Sequence, residues 1–172
     1  MTRFNTLFAA LATGLAAGAL LASPAVAQSK PGMTSIEASK AQSLPKRAEP
    51  GTHRLILQVN TNDPAAMNLA LNNAANVDQY YKDRGEPVVI EIITFGPGLH
   101  MLRDDTSPVK DRIKSMAESR PSVQFKACGN TQENMSKAES KTIPVVTQAT
   151  VVASGVVRIL ELQEQGWSYV RP

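Results

Sequence analysis

The sequence predicts an α/β domain, a three-layer α/β/α sandwich built on a mainly parallel sheet of about five strands. Short apolar runs alternate with segments whose apolar residues recur at helical spacing. Strands separated by helices favour parallel pairing, because each helix carries the chain back to the same edge of the sheet. The carboxyl ends of such strands share one edge, where ligands of this fold class bind.

The first half of the domain predicts two strands and a helix. Residues 55–59 are a short apolar run and form the first predicted strand. Asp63 and Pro64 are typical of an N-cap and a first helical position, and Gly85 is typical of a helix end. Residues 88–93 are almost continuously apolar, which predicts a second strand covered on both faces.

Glu91 does not fit a strand that is buried on both faces. It lies on the same predicted face as Ile93 and Phe95. A carboxylate there indicates either an edge strand or a face that meets another subunit, and the residues do not choose between these two interpretations.

The second half of the domain predicts three more strands and three more helices. The strands are residues 123–127, 144–146 and 167–170. The second helix has Val109, Ile113, Met116 and Ala117 on its inner side, and the third begins near Asn130, where Asn130 and Glu133 have the spacing of a capping box. The last helix has Val152, Val156, Ile159, Leu160 and Gln163 along one side and ends at Gly166.

The chain divides into three predicted parts. Residues 1–27 have a positive start, an apolar run and small residues before Gln28, which predicts a cleaved signal peptide. Residues 28–52 are rich in Ser, Lys, Pro and Ala, which predicts a flexible tether. Residues 53–172 form the domain. We therefore expect a periplasmic or secreted protein with no membrane segment after cleavage.

The charge of the domain argues against a nucleic-acid partner. Residues 53–172 contain thirteen basic and thirteen acidic side chains, so the domain has no net charge. The basic sequence pI of about 9.1 comes from the residues before it. A nucleic-acid-binding domain is expected to show a basic stripe and clustered aromatic residues, and neither is visible.

Cys128 is the single cysteine of the sequence, where a predicted strand gives way to a predicted helix. Without an intrachain partner it is an inert buried thiol, an intermolecular bridge or a reactive sulfur. A helix N-terminus stabilises a thiolate, and the Gly129-Asn130 turn places its backbone N–H groups near the sulfur. Lys126 has the charge to stabilise the thiolate, and it lies on the same face as Cys128 if the pleat of the strand persists to its end.

Three further residues are weaker candidates for a functional site at the same edge of the sheet. Gly96 and Gly98 allow a backbone anion nest, although a plain turn is the commoner outcome of this spacing. His100 offers a base beside Cys128 or is simply a surface histidine. The sequence contains one other histidine, His53, on the far side of the first strand, so no metal site is expected.

Three segments at the ends of predicted elements resemble the DsrE/DsrF-like family: residues 94–99, 123–131 and 166–172. The resemblance implies trimers or hexamers and a persulfide carried on Cys128. It also implies a sulfur donor or acceptor protein as a partner. Such exchange chemistry needs no metal or organic cofactor.

The leading hypothesis is therefore an exported sulfur-relay protein or sulfurtransferase that holds sulfane sulfur on Cys128, with Gly129 and Asn130 shaping the pocket. Two alternatives remain open from the sequence. One is a non-catalytic, oligomeric binding or assembly module with an inert cysteine. The other is a thiol redox sensor.

Overall fold

A computed structural model describes residues 51–172. The strands are His53–Val59 (β1), Val88–Thr94 (β2), Val123–Cys128 (β3), Ala149–Val152 (β4) and Ser168–Val170 (β5). The helices are Pro64–Asp83 (α1), Lys110–Ser119 (α2), Gly129–Glu139 (α3) and Gly155–Glu164 (α4), with a 3₁₀ helix at Gly96–Leu102. The predicted signal peptide and residues 28–50 of the predicted tether lie outside the described residues.

The five strands form one sheet in the order β4-β3-β2-β1-β5, and every pair is parallel. The predicted three-layer α/β/α architecture is confirmed. Helices α1, α2 and α3 cover one face, which we call the thick face. Among the helices of residues 51–172, α4 alone packs on the other face, which we call the thin face.

The two faces contain very different amounts of apolar core. The thick face carries nineteen buried apolar residues, among them Ile92 and Phe125. The thin face carries four: Ile56, Ile93, Ile159 and Leu162. Since burial of apolar surface is the main favourable term in folding, most of the stabilisation lies on the thick face.

Helix α1 begins as the sequence predicts. The carboxylate of Asp63 accepts a hydrogen bond from the backbone N–H of Ala65 at 2.9 Å, and Pro64 is the first helical residue. Gly85 has a φ of 67° immediately after the cap residue Arg84, which is the left-handed conformation expected at a helix end.

The fourth strand and the buried side of the last helix were predicted wrongly. Residues 144–146 make one isolated bridge, Val145 with Arg103, and β4 lies instead at Ala149–Val152. Val146 is buried in the core of the thick face, and Ile143 is also buried, but neither belongs to a strand of the sheet. Helix α4 starts at Gly155 and buries Ile159 and Leu162, while Val156 and Leu160 point to solvent.

Glu91 lies in an interior strand, so the edge-strand interpretation is wrong. Strand β2 pairs with β1 on one side and β3 on the other. The Glu91 carboxylate is 3% exposed and accepts two hydrogen bonds from the Arg158 guanidinium of α4, at 2.6 and 3.0 Å. A fork of this kind satisfies a buried carboxylate without a second subunit.

Two local predictions near the carboxyl edge also change. The Gly96-Pro97-Gly98 segment begins a 3₁₀ helix rather than a plain turn. Helix α3 starts at Gly129, one residue before the predicted capping box, and Cys128 takes the cap position. Among residues 51–172, no helix has the length and apolar character that crossing a bilayer requires.

Candidate functional site

The strand order creates a switch point at the carboxyl edge, between β3 and β4. The chain leaves β3 through α3 on the thick face and leaves the neighbouring β4 through α4 on the thin face. Two adjacent strands whose helices depart in opposite directions leave a crevice between their carboxyl ends, and ligands of open α/β sheets bind there. Cys128, the last residue of β3, lies at this point.

Two helix N-termini converge on Cys128. Asn130 and Thr131 belong to the first turn of α3, and Gly155 is the first residue of α4. The backbone N–H of Asn130 donates to the carbonyl of Ala153 at 3.2 Å, which ties the start of α3 to the loop that follows β4. The positive ends of both helix dipoles therefore face the sulfur.

These groups favour the ionised form of the thiol. Burial raises the pKa of Cys128, which is 4% exposed. The hydroxyl of Thr131 and the backbone N–H groups of Gly155, Thr131 and Asn130 stabilise the thiolate and together outweigh burial. The pKa of Cys128 is therefore below the ordinary value of a cysteine.

Close packing at two glycines holds this arrangement in place. A Cβ atom at Gly155 would lie 3.1 Å from Cβ of Phe95 and 3.3 Å from Cβ of Cys128. A Cβ atom at Gly129 would lie 3.1 Å from the carbonyl oxygen of Val152. Both helices can therefore start close to the sulfur because neither carries a side chain there.

Thr131 joins the sulfur to a neighbouring cleft. Its Oγ1 accepts a hydrogen bond from the backbone N–H of Gly96 at 3.0 Å. The cleft has a volume of about 530 Å³ and lies between α3 and the 3₁₀ helix. Its walls include Asn62, Pro97, His100, Thr131, Asn134 and Met135.

The far wall of the cleft is fixed by a buried guanidinium. Arg103 is 4% exposed and binds the carboxylates of both Asp105 and Glu139. Lys141 contacts the same two carboxylates, which completes a network of two positive and two negative side chains. Arg103 lowers the pKa of Glu139 to about 2, and its own positive charge is neutralised.

The structure brings some predicted site residues together and separates others. Gly129 and Asn130 contact the switch point with Cys128, while Gly96 and His100 line the cleft. Lys126 is half-buried on the same strand face as Cys128. Gly98 is not open to a ligand, because a Cβ atom there would lie 2.1 Å from the carbonyl oxygen of Val59.

Thr131 and Gly155 are the site residues that sequence reasoning missed. Thr131 lies three residues after Cys128, in the first turn of the predicted helix, and this spacing is a signal that the sequence does contain. Gly155 required the correct position of β4. Ser154 gave a usable signal, since its hydroxyl caps α4 by accepting from the N–H of Val157 at 3.4 Å.

Residues 26–154 match the family described as "Dehydrogenase E1 component". This match covers more than half of the sequence, and the chain belongs to this family. No curated protein matches the chain.

The assignment to the DsrE/DsrF-like family is therefore wrong, and the dehydrogenase match overturns the sulfur-relay function together with its two alternatives. The three segments that suggested it all lie where a strand meets the turn or helix that follows, or at the closing strand. Their glycines and apolar residues serve the parallel sheet itself, as Gly98 shows. Such residues indicate a fold more strongly than a family.

A solved structure shares this fold. The chain resembles the protein of unknown function MTH1491 from Methanobacterium thermoautotrophicum, with 27% sequence identity and a TM-score of 0.59. The match covers 70% of this chain and 99% of that one.

A dehydrogenase component implies a cofactor that accepts electrons or stabilises a carbanion. Residues 51–172 contain no cluster of three His, Cys, Asp or Glu side chains that could hold a metal ion. The glycine segment that begins the 3₁₀ helix does not form a phosphate cradle, since Gly98 packs directly on the backbone of β1. The N–H groups of Gly96 and Gly98 already donate to Thr131 and Phe95, so the glycine segment does not fit a phosphate-bearing cofactor.

Proposed function

We propose that this member of the dehydrogenase E1 component family accepts an acyl group on Cys128 from a small thioester. The observation that carries the proposal is the convergence of two helix N-termini on the Cys128 sulfur at the switch point of the sheet. A thiolate is the reactive form of a cysteine, and this environment stabilises it.

The reaction is an exchange of one thioester for another. The Cys128 thiolate attacks the carbonyl carbon, so that a carbon–sulfur bond forms and negative charge moves to the carbonyl oxygen. The positive ends of α3 and α4 favour that charge. The adduct then expels the thiolate of the donor, which takes a proton from water, and the acyl group stays on Cys128. Nothing is oxidised or reduced.

The surroundings of the sulfur restrict the substrate. With 4% of its surface exposed, Cys128 admits a short acyl group more readily than a branched one. The cleft beside Thr131 has room for the rest of the donor. Because the Arg103 network is internally neutralised, its guanidinium offers no free positive charge to an anionic donor.

Acylation can be measured as intact mass after incubation with S-acetyl-N-acetylcysteamine. We expect the wild-type protein to gain one acetyl group, and the Cys128→Ala protein to gain none under the same conditions. Thr131→Val should acylate more slowly, because the lost hydroxyl leaves the thiolate less stable.

The outcomes separate reactivity from the acyl proposal. If the wild-type protein reacts with iodoacetamide but not with the thioester, Cys128 is a reactive thiol but the acyl-transfer proposal is wrong. If the protein reacts with neither reagent, Cys128 is not a nucleophile.

We also propose self-association and export. The outer side of α4 exposes Val156, Val157 and Leu160, and the matching helix of a second copy would cover the same apolar side chains. The export proposal rests on the predicted signal peptide at residues 1–27. The family match leaves out residues 1–25 of that segment.

A further inference from the structure

The fork between Glu91 and Arg158 fastens α4 to the interior of the sheet through two hydrogen bonds. Arg158 donates from Nε at 3.0 Å and from Nη2 at 2.6 Å to the two oxygens of Glu91. Such a pair fixes both a distance and an orientation, since two parallel bonds join two planar groups.

Arg158 lies one turn after the start of α4. Its backbone N–H donates to the carbonyl of Ser154 at 3.0 Å, so a hydrogen-bonded turn connects it to the residue that caps the helix. Gly155 lies inside this turn, and its N–H is one of the groups that stabilise the Cys128 thiolate. A displacement of Arg158 would therefore displace that N–H.

The apolar contacts of α4 do not supply the same precision. Ile159 and Leu162 pack against Ile56 and Ile93, and apolar burial of this kind is non-directional. Replacement of a buried ion pair by apolar residues is often neutral for stability, so stability alone does not explain why β2 carries a carboxylate at Glu91.

We infer that Glu91 and Arg158 are positioning residues for Cys128: their fork sets the register of α4 so that its N-terminus faces the sulfur. The inference rests on the proposed function, because positioning matters only if Cys128 reacts as a thiolate. It explains the buried carboxylate of Glu91 as the partner of Arg158 in the same chain.

At Glu91 the inference differs in sign from a direct effect of charge. By charge alone, Arg158→Gln raises the pKa of Cys128 because it removes a positive charge, whereas removal of the Glu91 charge can only lower that pKa. Loss of the fork should raise it, because α4 no longer holds its N–H groups at the sulfur. Lys126 is the other charged group on this face of β3, and it is unchanged in both cases.

The experiment is a pH titration of the Cys128 thiolate, followed by its ultraviolet absorbance and by the rate of alkylation with iodoacetamide. We expect both Glu91→Gln and Arg158→Gln to raise the pKa of Cys128 and to lower the thiolate fraction at neutral pH several-fold. Arg120→Gln is the matched control, because it removes an ion pair with Asp78 that lies away from the thin face.

A lowered or unchanged pKa in folded Glu91→Gln protein would overturn the inference. Arg158→Lys keeps the charge pair but loses the fork, and it replaces Arg158→Gln if the Arg158→Gln protein does not fold. An unchanged pKa of Cys128 in the Arg158→Lys protein would also overturn the inference. The titration uses no thioester, so a raised pKa together with failed acylation would retain the positioning role and refute the acyl proposal.

Discussion

The two faces of the sheet differ in what they contribute to the molecule. The thick face has three helices and nineteen buried apolar residues, while the thin face has one helix and four. Yet the thin face holds the buried ion pair of Glu91, the half-buried Lys126 and the side of β3 on which Cys128 lies. Stability is concentrated on one side and candidate chemistry on the other.

This separation has a physical basis. A site that stabilises a thiolate requires polar groups near the sulfur, and a dense apolar layer would exclude them. A single helix on the thin face leaves its own N-terminus free to serve the sulfur. The thick face meanwhile supplies the stability that the thin face lacks, and α3 contributes to the site from that side.

The largest expected effect compares two neighbouring isoleucines on opposite faces. Ile92 packs in the thick face and Ile93 in the thin face, and both are fully buried. We expect Ile92→Ala to lower the free energy of unfolding by about 4 kcal/mol and Ile93→Ala by about 2 kcal/mol, because fewer buried apolar side chains surround Ile93 and lose contacts with it. Urea unfolding of both proteins measures this, and equal losses would contradict the difference between the faces.

An intermediate effect is the loss of stability at acid pH through the network of Arg103, Lys141, Asp105 and Glu139, on the thick-face side. Arg103 lowers the pKa of Glu139 from 4.5 to about 2 in the folded protein. The stabilisation is therefore complete above the unfolded pKa and is lost as the pH falls through the folded one. We expect the urea midpoint to fall between pH 4.5 and about 2, and Glu139→Gln to flatten that dependence.

The control for this acid effect is Glu133→Gln, which removes an exposed pair with Lys137 instead. We expect it to change the pH dependence less than Glu139→Gln does, since exposed pairs contribute little. If the urea midpoint of the Glu139→Gln protein depends on pH as it does in the wild type, the Arg103 network does not contribute to stability.

The smallest effect on stability concerns the outer side of α4. Leu160 is 54% exposed, so Leu160→Glu should change the free energy of unfolding by no more than about 0.5 kcal/mol. We expect it to reduce the mass measured by light scattering, because a charge cannot be buried between two copies. Leu69→Glu on α1, where Leu69 is 46% exposed, is the matched control and should leave the mass unchanged.

Much of the fold could be predicted because its signals are local. Asp63, Pro64 and Gly85 mark the ends of α1 through backbone preferences that need no tertiary partner. Strand β4 could not be placed this way: its Ala-Thr-Val-Val sequence is partly exposed, and pairing with β3 selects it over the more buried residues 144–146. Tertiary pairing overrides local propensity in such short strands.

The site was predictable only in part for the same reason. Cys128 was found because a lone cysteine at a strand end is visible in sequence. The role of Gly155 depends on two elements that meet in space, and the role of Glu91 depends on which side of α4 turns inward. The apolar spacing predicts a different buried side for α4, and Arg158 is not on it, so the pairing of Glu91 with Arg158 is not visible in the sequence.

The last strand along the chain closes the sheet beside the first one. Strand β5 pairs with β1, and the hydroxyl of Tyr169 donates to Gln58 across 111 positions of sequence. Until β5 pairs, Leu55–Leu57 presents an unpaired edge to other chains, and its closing partner lies far away in the sequence. Pairing of Ser168–Val170 with β1 therefore protects the edge of the sheet against association with other chains.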